Sequence, residues 1–288
     1  MVTINDIRKI MEMAKFPEDA KSFFEELYAK WCDNAEFIRL ANEDEELFVT
    51  HQDTRAQRAA LCELTGANPY SVDMLLLIYF AVNLRKKYAE RGYTEEFFCE
   101  MLKSLNCKLY ECIAVYGVFG TFVFGSFRTL YTFESFFIGR LQYEDRTLTF
   151  DYKDIAKKGE KIVGLHIPST GPLTPELVDE SLERAYRFYK PDGEGYLVLH
   201  CHSWMIYPPL YELFPENSNL QKFYHRFDIV WQEEDERNDD LWRIFNTMDT
   251  DISKYPLDTT LRRNFYEYIK SGKKLGYGFG IIAYKPKK

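Results

Sequence analysis

Three histidines stand at the ends of two predicted strands, where their spacing bears on chemistry. His166 closes the apolar segment 162–167, and His200 and His202 lie near the end of the segment 196–204. Side chains alternate across a strand, so His200 and His202 share one face. An imidazole exchanges protons near neutral pH, which makes His166, His200 and His202 candidate general bases for an ammonium nucleophile. For each of them, a hydrogen-bonded core histidine is the alternative.

Metal binding is a second chemistry open to these histidines. Two imidazoles on one strand face can hold a metal ion, and His166 can approach from the neighbouring strand. Zinc needs three or four protein ligands, and no segment next to these histidines in the sequence supplies the ligands that are still missing. We therefore expect no metal site.

The six cysteines, at positions 32, 62, 99, 107, 112 and 201, include no Cys-x-x-Cys pair. This spacing favours reduced thiols over disulfides or structural zinc. Cys201 is a possible covalent nucleophile beside His200 and His202. Neighbours on a strand point to opposite faces, however, so thiol chemistry is the weaker alternative.

The loop 168–174, with the sequence PSTGPLT, joins the first of these strands to a helix. Thr174 is a suitable N-cap and Pro175 a suitable first helical residue. Backbone N–H groups and the helix dipole favour an anion at such a position, for example a phosphate or pyrophosphate. Three prolines in or beside the loop remove N–H donors, and Glu176 adds a negative charge. An ordinary turn with a good cap is the alternative.

The elements around this loop predict an α/β arrangement. The strand 162–167, the helix 175–189 and the strand 196–204 form a crossover unit, so the two strands should be parallel. A hairpin is predicted before them, from 138–144 and 146–152 with its turn near Asp145. Further strands are predicted at 228–232 and 277–284, with helical segments at 208–227, 240–248 and 259–271.

The first half of the chain reads as helical from 5 to about 132, with apolar residues three and four positions apart. The uncharged stretch 113–127 is predicted to be a buried helix, because it is too short to span a bilayer. The change of period predicts two domains, 1–130 and 131–288. The fold class expected is α+β or α/β, with a helical N-terminal domain before a mixed β-sheet flanked by helices.

Composition excludes several classes of protein. Hydrophobic residues make up 46% of the chain, which is enough for folded cores. The formal net charge of -8 disfavours nucleic acid as a partner. The N-terminus lacks the pattern of a secretory signal, so we expect a cytoplasmic protein with no membrane partner. The acid-rich runs 43–46 and 233–240 are expected to be solvated, with no chemical role. The sequence leaves the oligomeric state open.

Several separated segments resemble one known family: bacterial acyltransferase-domain proteins with a helical N-terminal domain and a GNAT-like C-terminal domain. The resemblance spans nearly the whole chain. It is strongest at 138–144 (IGRLQYE), 165–168 (LHIP), 171–174 (GPLT), 203–204 (SW), 209–210 (PL) and 218–220 (SNL) with Phe223.

The resemblance implies acetyl-CoA or another acyl-CoA between two splayed parallel strands, with its pyrophosphate at the crossover helix. The GNAT fingerprint, Gln or Arg followed by Gly-x-Gly or Gly-x-Ala, is absent from this loop. Other residues of the loop would then have to bind the pyrophosphate in place of the fingerprint. They are Ser169, Thr170, Gly171, Leu173 and Thr174. Ser203, Trp204 and Tyr207 are predicted to line the substrate pocket, ordinary packing being the alternative.

The implied activity is direct acyl transfer to an unknown small-molecule amine. In that reaction His166, or a water held by His200 or His202, removes the amine proton. A GNAT-like module that binds acyl-CoA or a similar anion without catalysis is the alternative.

Overall fold

The computed structural model describes residues 2–286 and divides into two compact units, the first ending at Phe137 and the second beginning at Ile138. The first is helical and the second is built on a mixed six-stranded sheet with flanking helices, which confirms the predicted fold class. The predicted domain boundary at 130 falls within the last short helix of the first unit. Among the described helices, none is long and apolar enough to cross a bilayer.

The helices of the first unit begin at capping residues and bury one face each. Their bounds are α1 Ile4–Met13, α2 Glu18–Ala29, α3 Ala35–Val49, α4 Arg55–Thr65, α5 Pro69–Glu90, α6 Glu95–Tyr116 and α7 Arg128–Tyr131. Thr94 caps α6 by accepting a hydrogen bond from the Phe97 N–H, as its sequence position predicts. Helix α5 forms the centre of this unit, because most of its residues from Ser71 to Leu84 are buried.

The prediction of a single helix over 113–127 is wrong. Helix α6 ends at Tyr116 because Gly117 adopts the left-handed conformation, with φ of +66°. The chain then passes close to α5, where the Thr121 N–H donates to the Tyr70 carbonyl at 3.0 Å. A Cβ at Gly120 would lie 2.5 Å from the Tyr70 carbonyl oxygen, so this approach requires glycine. A short 3-10 helix, Phe124–Phe127, follows.

The strands of the sheet are β1 Ser135–Ile138, β2 Leu141–Thr147, β3 Lys161–His166, β4 Leu197–Ser203, β5 Asp228–Glu234 and β6 Gly276–Tyr284. They are arranged in the order β1-β2-β3-β4-β6-β5. The crossover helix α8, Pro175–Tyr189, joins β3 to β4, and those strands are parallel as predicted. The remaining helices of this unit are α9 Asn219–Tyr224, α10 Leu241–Phe245 and α11 Thr260–Lys270.

The predicted hairpin has a different turn. Chain reversal takes place between β1 and β2 at Gly139 and Arg140, and Asp145 lies inside β2. Gly139 has φ of +67°, which glycine adopts without strain. Helix α8 locks this turn, because the Ser181 hydroxyl donates to the Ile138 carbonyl and accepts from the Leu141 N–H at 3.2 Å.

The Gly-rich strand β6 is shaped by close backbone contact. Trp204–Ile206 forms a 3-10 helix directly over this strand. A Cβ at Gly278 would lie 1.9 Å from the Ile206 carbonyl oxygen, and one at Gly276 would lie 2.5 Å from the Tyr207 ring. The glycines therefore let the chain after β4 pack flat against the sheet.

Candidate functional site

The three predicted histidines line one cavity of about 470 Å³ in the second unit. The lining residues are Arg146, Thr147, Leu148, Thr149, Ile162, Gly164, Leu165, His166, His200, His202, Trp231, Glu233 and Phe279. They come from β2, β3, β4, β5 and β6 and from the residues after β2. Strand alternation explains the selection, because Ile162, Gly164 and His166 share one face of β3 and His200 and His202 share one face of β4.

The cavity lies where β3 and β4 separate. Their parallel pairing places Val163 opposite Leu199 and Gly164 opposite His200. The described register extends no further, although β3 continues to His166 and β4 to Ser203. His166 and His202 therefore lie beyond the last paired residues, at the diverging carboxyl ends of parallel strands, where open α/β sheets bind ligands.

His166 is held by an acidic residue on the neighbouring strand. Its Nε2 lies 2.6 Å from Glu144 Oε2, and Arg146 donates to the same oxygen at 3.0 Å. Burial raises the pKa of Glu144, but the hydrogen bond to His166 and the charges of His166 and Arg146 outweigh burial and leave that pKa below its ordinary value. Glu144 is thus a carboxylate that fixes the orientation of the His166 ring.

His200 is in a different environment. Its ring stacks on Phe279 with centroids 3.8 Å apart, and its Nε2 is buried with no hydrogen-bond partner among the described residues. Burial lowers the pKa of His200 to about 4, assisted by the charges of His202, Arg146 and His166. The ring is neutral at pH 7, and its conjugate acid is too strong for it to act as an effective base.

His202 is paired with Glu233, whose carboxylate lies 3.1 Å from the imidazole Nε2. That the run 233–240 has no chemical role stays a prediction; within that run, Glu233 lines the cavity with its side chain 42% exposed. It reaches the cavity because it lies on β5, one strand beyond β6 at the edge of the sheet. Trp231, from the same strand, is 54% exposed and offers a large apolar surface beside Glu233.

The loop between β3 and α8 is anchored by a buried arginine. The Arg140 guanidinium donates to the carbonyls of Pro168 at 2.8 Å, Gly171 at 2.7 Å and Pro172 at 3.0 Å. Arg140 is only 8% exposed. Gly171 has φ of +121°, a conformation that favours glycine. The predicted cradle residues Ser169, Thr170, Gly171, Leu173 and Thr174 lie together in this one loop.

The first turn of α8 already contains a negative charge. The Thr174 hydroxyl accepts from the Leu177 N–H at 3.4 Å, as expected for an N-cap. The Glu176 carboxylate accepts from its own N–H and from Thr174, and both contacts lower the pKa of Glu176. An incoming anion would have to compete with this exposed side chain.

The predicted pocket residues lie elsewhere in the second unit. Ser203 caps the 3-10 helix by accepting from the Met205 N–H at 3.2 Å. Trp204 and Tyr207 are buried in an apolar cluster with Leu210, Phe214 and Phe265. None of the three is among the residues that line the histidine cavity. Their role as substrate-pocket residues stays a prediction.

Thiol and metal chemistry have little support at this site. Cys201 is 1% exposed, and burial raises the pKa of its thiol to about 12. A thiol with that pKa supplies almost no thiolate near neutral pH. Within residues 2–286, no group of three or more His, Cys, Asp or Glu side chains is arranged to hold a metal ion.

Sequence reasoning missed the contacts that Glu144, Arg140 and Glu233 make. Glu144 and Arg140 lie in the segment 138–144 that carries the family resemblance, but no role followed from it. An i, i+2 pattern along β2 could have suggested that Glu144 and Arg146 share a face. The contact of Arg140 with the loop spans 32 residues of sequence at Pro172, and no local pattern reports it.

Comparisons with known proteins support both parts of this description. The model of the N-acyltransferase N-terminal domain matches residues 5–125, and that of the GNAT-like C-terminal domain matches residues 136–282. Among curated proteins, no match was found.

Solved acyltransferase structures share the fold. One, in complex with decanoyl-CoA and teicoplanin, has a TM-score of 0.76 and 22% identity, covering 96% of this chain and 86% of that one. A mutant acyltransferase with octanoyl-CoA has a TM-score of 0.76 and 22% identity, covering 97% and 88%. A third, with CoA and 10C-teicoplanin, has a TM-score of 0.75 and 21% identity, covering 96% and 87%.

The two domain models match in the order in which the helical and sheet units occur, and the second covers more than half of the chain. The chain therefore belongs to the family that carries a GNAT-like C-terminal domain, joined here to an N-acyltransferase N-terminal domain.

Proposed function

We propose that this protein transfers an acyl group from acyl-CoA directly to an amine. The observation that carries the proposal is the cavity at the diverging ends of β3 and β4, which His166 and His202 line, with β3 leading directly into the loop that precedes α8. The family supports the same proposal, because this chain matches an N-acyltransferase N-terminal domain followed by a GNAT-like C-terminal domain.

Acyl-CoA is proposed to lie with its pyrophosphate at the loop 168–174 and its thioester between the separated strands. Backbone N–H groups that β3 and β4 no longer use in pairing with each other are suitable donors for the thioester carbonyl. The similar solved structures contain decanoyl-CoA, octanoyl-CoA or CoA, which supports an acyl-CoA of medium chain length as the first compound to test.

His166 is the proposed base. It takes a proton from the ammonium form of the acceptor, and the neutral amine then attacks the thioester carbonyl carbon. The C–N bond forms as the C–S bond breaks, and the CoA thiolate leaves with the second proton lost by the amine nitrogen. Because Glu144 engages Nε2 of His166, Nδ1 is the atom available for the transfer. His202 can hold a water on the same side, whereas the lowered pKa of His200 makes that residue a poor base.

The charges around the cavity favour a cationic acceptor. Glu233 and Glu144 are carboxylates, and Arg146 is a cation beside them. These three side chains sum to one negative charge. An ammonium group is attracted to such a site before it is deprotonated. The exposed ring of Trp231 could pack against the apolar body of the acceptor.

The test is incubation of the purified protein with decanoyl-CoA and a panel of primary amines, followed by mass spectrometry of small molecules and of the intact protein. The proposal predicts an acylated amine, with the same product from Cys201→Ser. Retained CoA without product would instead support a binding module, and an acyl adduct on Cys201 would support the thiol route. Either of those results would contradict direct transfer.

A further inference from the structure

A buried arginine, Arg140, binds three backbone carbonyls of the loop before α8. The guanidinium of Arg140 donates from Nε to the Pro172 carbonyl and from its two terminal nitrogens to the Pro168 and Gly171 carbonyls. One side chain thus holds three acceptors within a span of five residues. A planar guanidinium fixes such a set more rigidly than an ammonium group can.

The geometry of the peptide bond determines which way the N–H groups next to these carbonyls point. In a trans peptide the N–H points opposite to the carbonyl of the preceding residue. The carbonyls of Pro168 and Pro172 point at Arg140, so the N–H groups of Ser169 and Leu173 point away from it. The peptide between Gly171 and Pro172 has no N–H. These contacts therefore turn three loop carbonyls toward Arg140 and two loop N–H groups, those of Ser169 and Leu173, away from it.

We propose that Arg140 is a positioning residue that turns these two N–H groups of the loop 168–174 toward the pyrophosphate of CoA. This inference rests on the proposed function. Without such an anchor, the oxygens of Pro168, Gly171 and Pro172 could turn outward and repel an anion. The arginine thereby does for this loop what extra glycines do in a glycine-rich cradle, where several N–H groups converge on one phosphate.

Arg140 acts through the backbone rather than by direct contact. Its Nε and both terminal nitrogens already donate to loop carbonyls, and only 8% of the residue is exposed. The left-handed conformation of Gly171 is part of the same arrangement, since it allows that carbonyl to face the guanidinium.

The test compares two ligands that differ in the pyrophosphate. Decanoyl-CoA contains it and decanoyl-pantetheine does not, so isothermal titration of both reports the contribution of the nucleotide part. For Arg140→Met we expect the dissociation constant of decanoyl-CoA to rise by about 10- to 100-fold, the range for lost charge-assisted hydrogen bonds. The constant for decanoyl-pantetheine should change by less than about twofold, because that ligand does not reach the loop.

The matched variant is Arg140→Lys, which keeps the positive charge but lacks the planar set of N–H donors of the guanidinium. We expect Arg140→Lys to bind decanoyl-CoA with a dissociation constant at least about fivefold higher than that of the wild type. Full recovery in Arg140→Lys would overturn the positioning role, because charge alone would then suffice. Equal weakening for both ligands would also overturn it, since a general structural defect affects both. Wild-type protein that fails to bind decanoyl-CoA would overturn the proposed function and this inference together.

A second measurement needs no variant and remains decisive if the substitutions unfold the protein. In the ¹⁵N-labelled wild type, the amide resonance of Leu173 should shift when CoA is added and stay unchanged with pantetheine. A Leu173 amide that responds equally to both ligands, or to neither, would overturn the inference.

Discussion

Glu144 and His166 are joined across β2 and β3 by a 2.6 Å hydrogen bond between Oε2 and Nε2. The antiparallel register pairs Gln142 with His166 and Glu144 with Gly164, so the two side chains meet diagonally on one face of the sheet. The Glu144 side chain is 12% exposed and that of His166 is 44% exposed. A protected carboxylate therefore orients an imidazole that stays open to the cavity, an arrangement that recurs where histidine acts as a base.

Replacing His166 by Gln should lower kcat for acyl transfer by about 100- to 1,000-fold, within the range for loss of a general base. The KM for acyl-CoA should change little, because the His166 side chain lines the cavity and is proposed to act on the amine, whereas the pyrophosphate is proposed to bind the loop 168–174. Glu144→Gln should lower kcat less, since the imidazole remains but is no longer held by a carboxylate. Steady-state kinetics with a fixed amine check both changes.

The matched control is His51→Gln, because His51 also pairs with a glutamate, Glu134 at 2.8 Å, but lies in the helical unit. Unchanged kcat in His166→Gln, or an equal loss in His51→Gln, would contradict the assignment of His166 as the base.

Glu176→Gln should strengthen CoA binding. The exposed Glu176 carboxylate sits at the first turn of α8 and accepts from its own N–H and from Thr174. Removing its charge weakens its hold on those donors and removes a repulsion, which should lower the dissociation constant for CoA about two- to fivefold at low salt. Titration calorimetry at low and high salt measures this effect, which should shrink as salt rises. Glu180→Gln, further along the same helix, is the control; weaker binding in Glu176→Gln would oppose the placement of the anion.

The order of the second unit could be predicted well from the sequence because local rules agreed there. Thr174, Pro175 and the apolar face of α8 marked a helix, and apolar runs ending at Pro168 and Trp204 marked strands. The hairpin was harder, since both Gly139 and Asp145 suit a turn. Packing of Ser181 against Ile138 decided between them, and that contact spans 43 residues.

The candidate site was only partly predictable for the same reason. Alternation placed His200 and His202 on one face, and the crossover rule placed His166 beside them. The partners Glu144 and Glu233 reach those histidines from other strands, so no sequence spacing connects them. The acidic run 43–46 was expected to be solvated, yet Asp44 is 0% exposed. Its helical position alone does not reveal that α3 turns this face inward.

Asp44→Asn should stabilise the protein more at pH 8 than at pH 5. Both carboxylate oxygens of Asp44 are buried without a hydrogen-bond partner among the described residues. Burial raises the pKa of Asp44 to about 7, although the nearby Arg58 and Arg128 lower it and Asp73 raises it further. The unfolded value is near ~3.9. A raised folded pKa contributes stability that is present below the unfolded pKa and is lost as pH rises through 7.

The asparagine carries no such ionisation, so its advantage over the wild type should grow by about 1 to 3 kcal/mol between pH 5 and pH 8. Urea unfolding of both proteins at the two pH values measures this difference in the free energy of unfolding. A pH-independent difference between variant and wild type would show that Asp44 does not ionise in this range. Asp33→Asn is the control, because Asp33 is exposed in the turn after α2.

Gly278→Ala should destabilise the sheet unit by about 1 to 3 kcal/mol, the usual range for overpacking. The added Cβ would lie 1.9 Å from the Ile206 carbonyl oxygen, which is backbone and must move with its 3-10 helix. Gly125→Ala is the control, because a Cβ added there would have no neighbouring atom within 4 Å and the φ of Gly125 is not left-handed. Thermal unfolding compares the two, and equal melting temperatures would contradict the close approach of this segment to β6.

The most direct test of the central claim is whether release of CoA depends on the amine. Wild-type protein is incubated with decanoyl-CoA, with and without an amine identified from the panel, and both free CoA and acylated amine are quantified by liquid chromatography. Direct transfer predicts equal molar amounts of the two products and almost no free CoA when the amine is omitted. Free CoA that forms at the same rate without amine, or an acylated amine that never appears, would contradict the account.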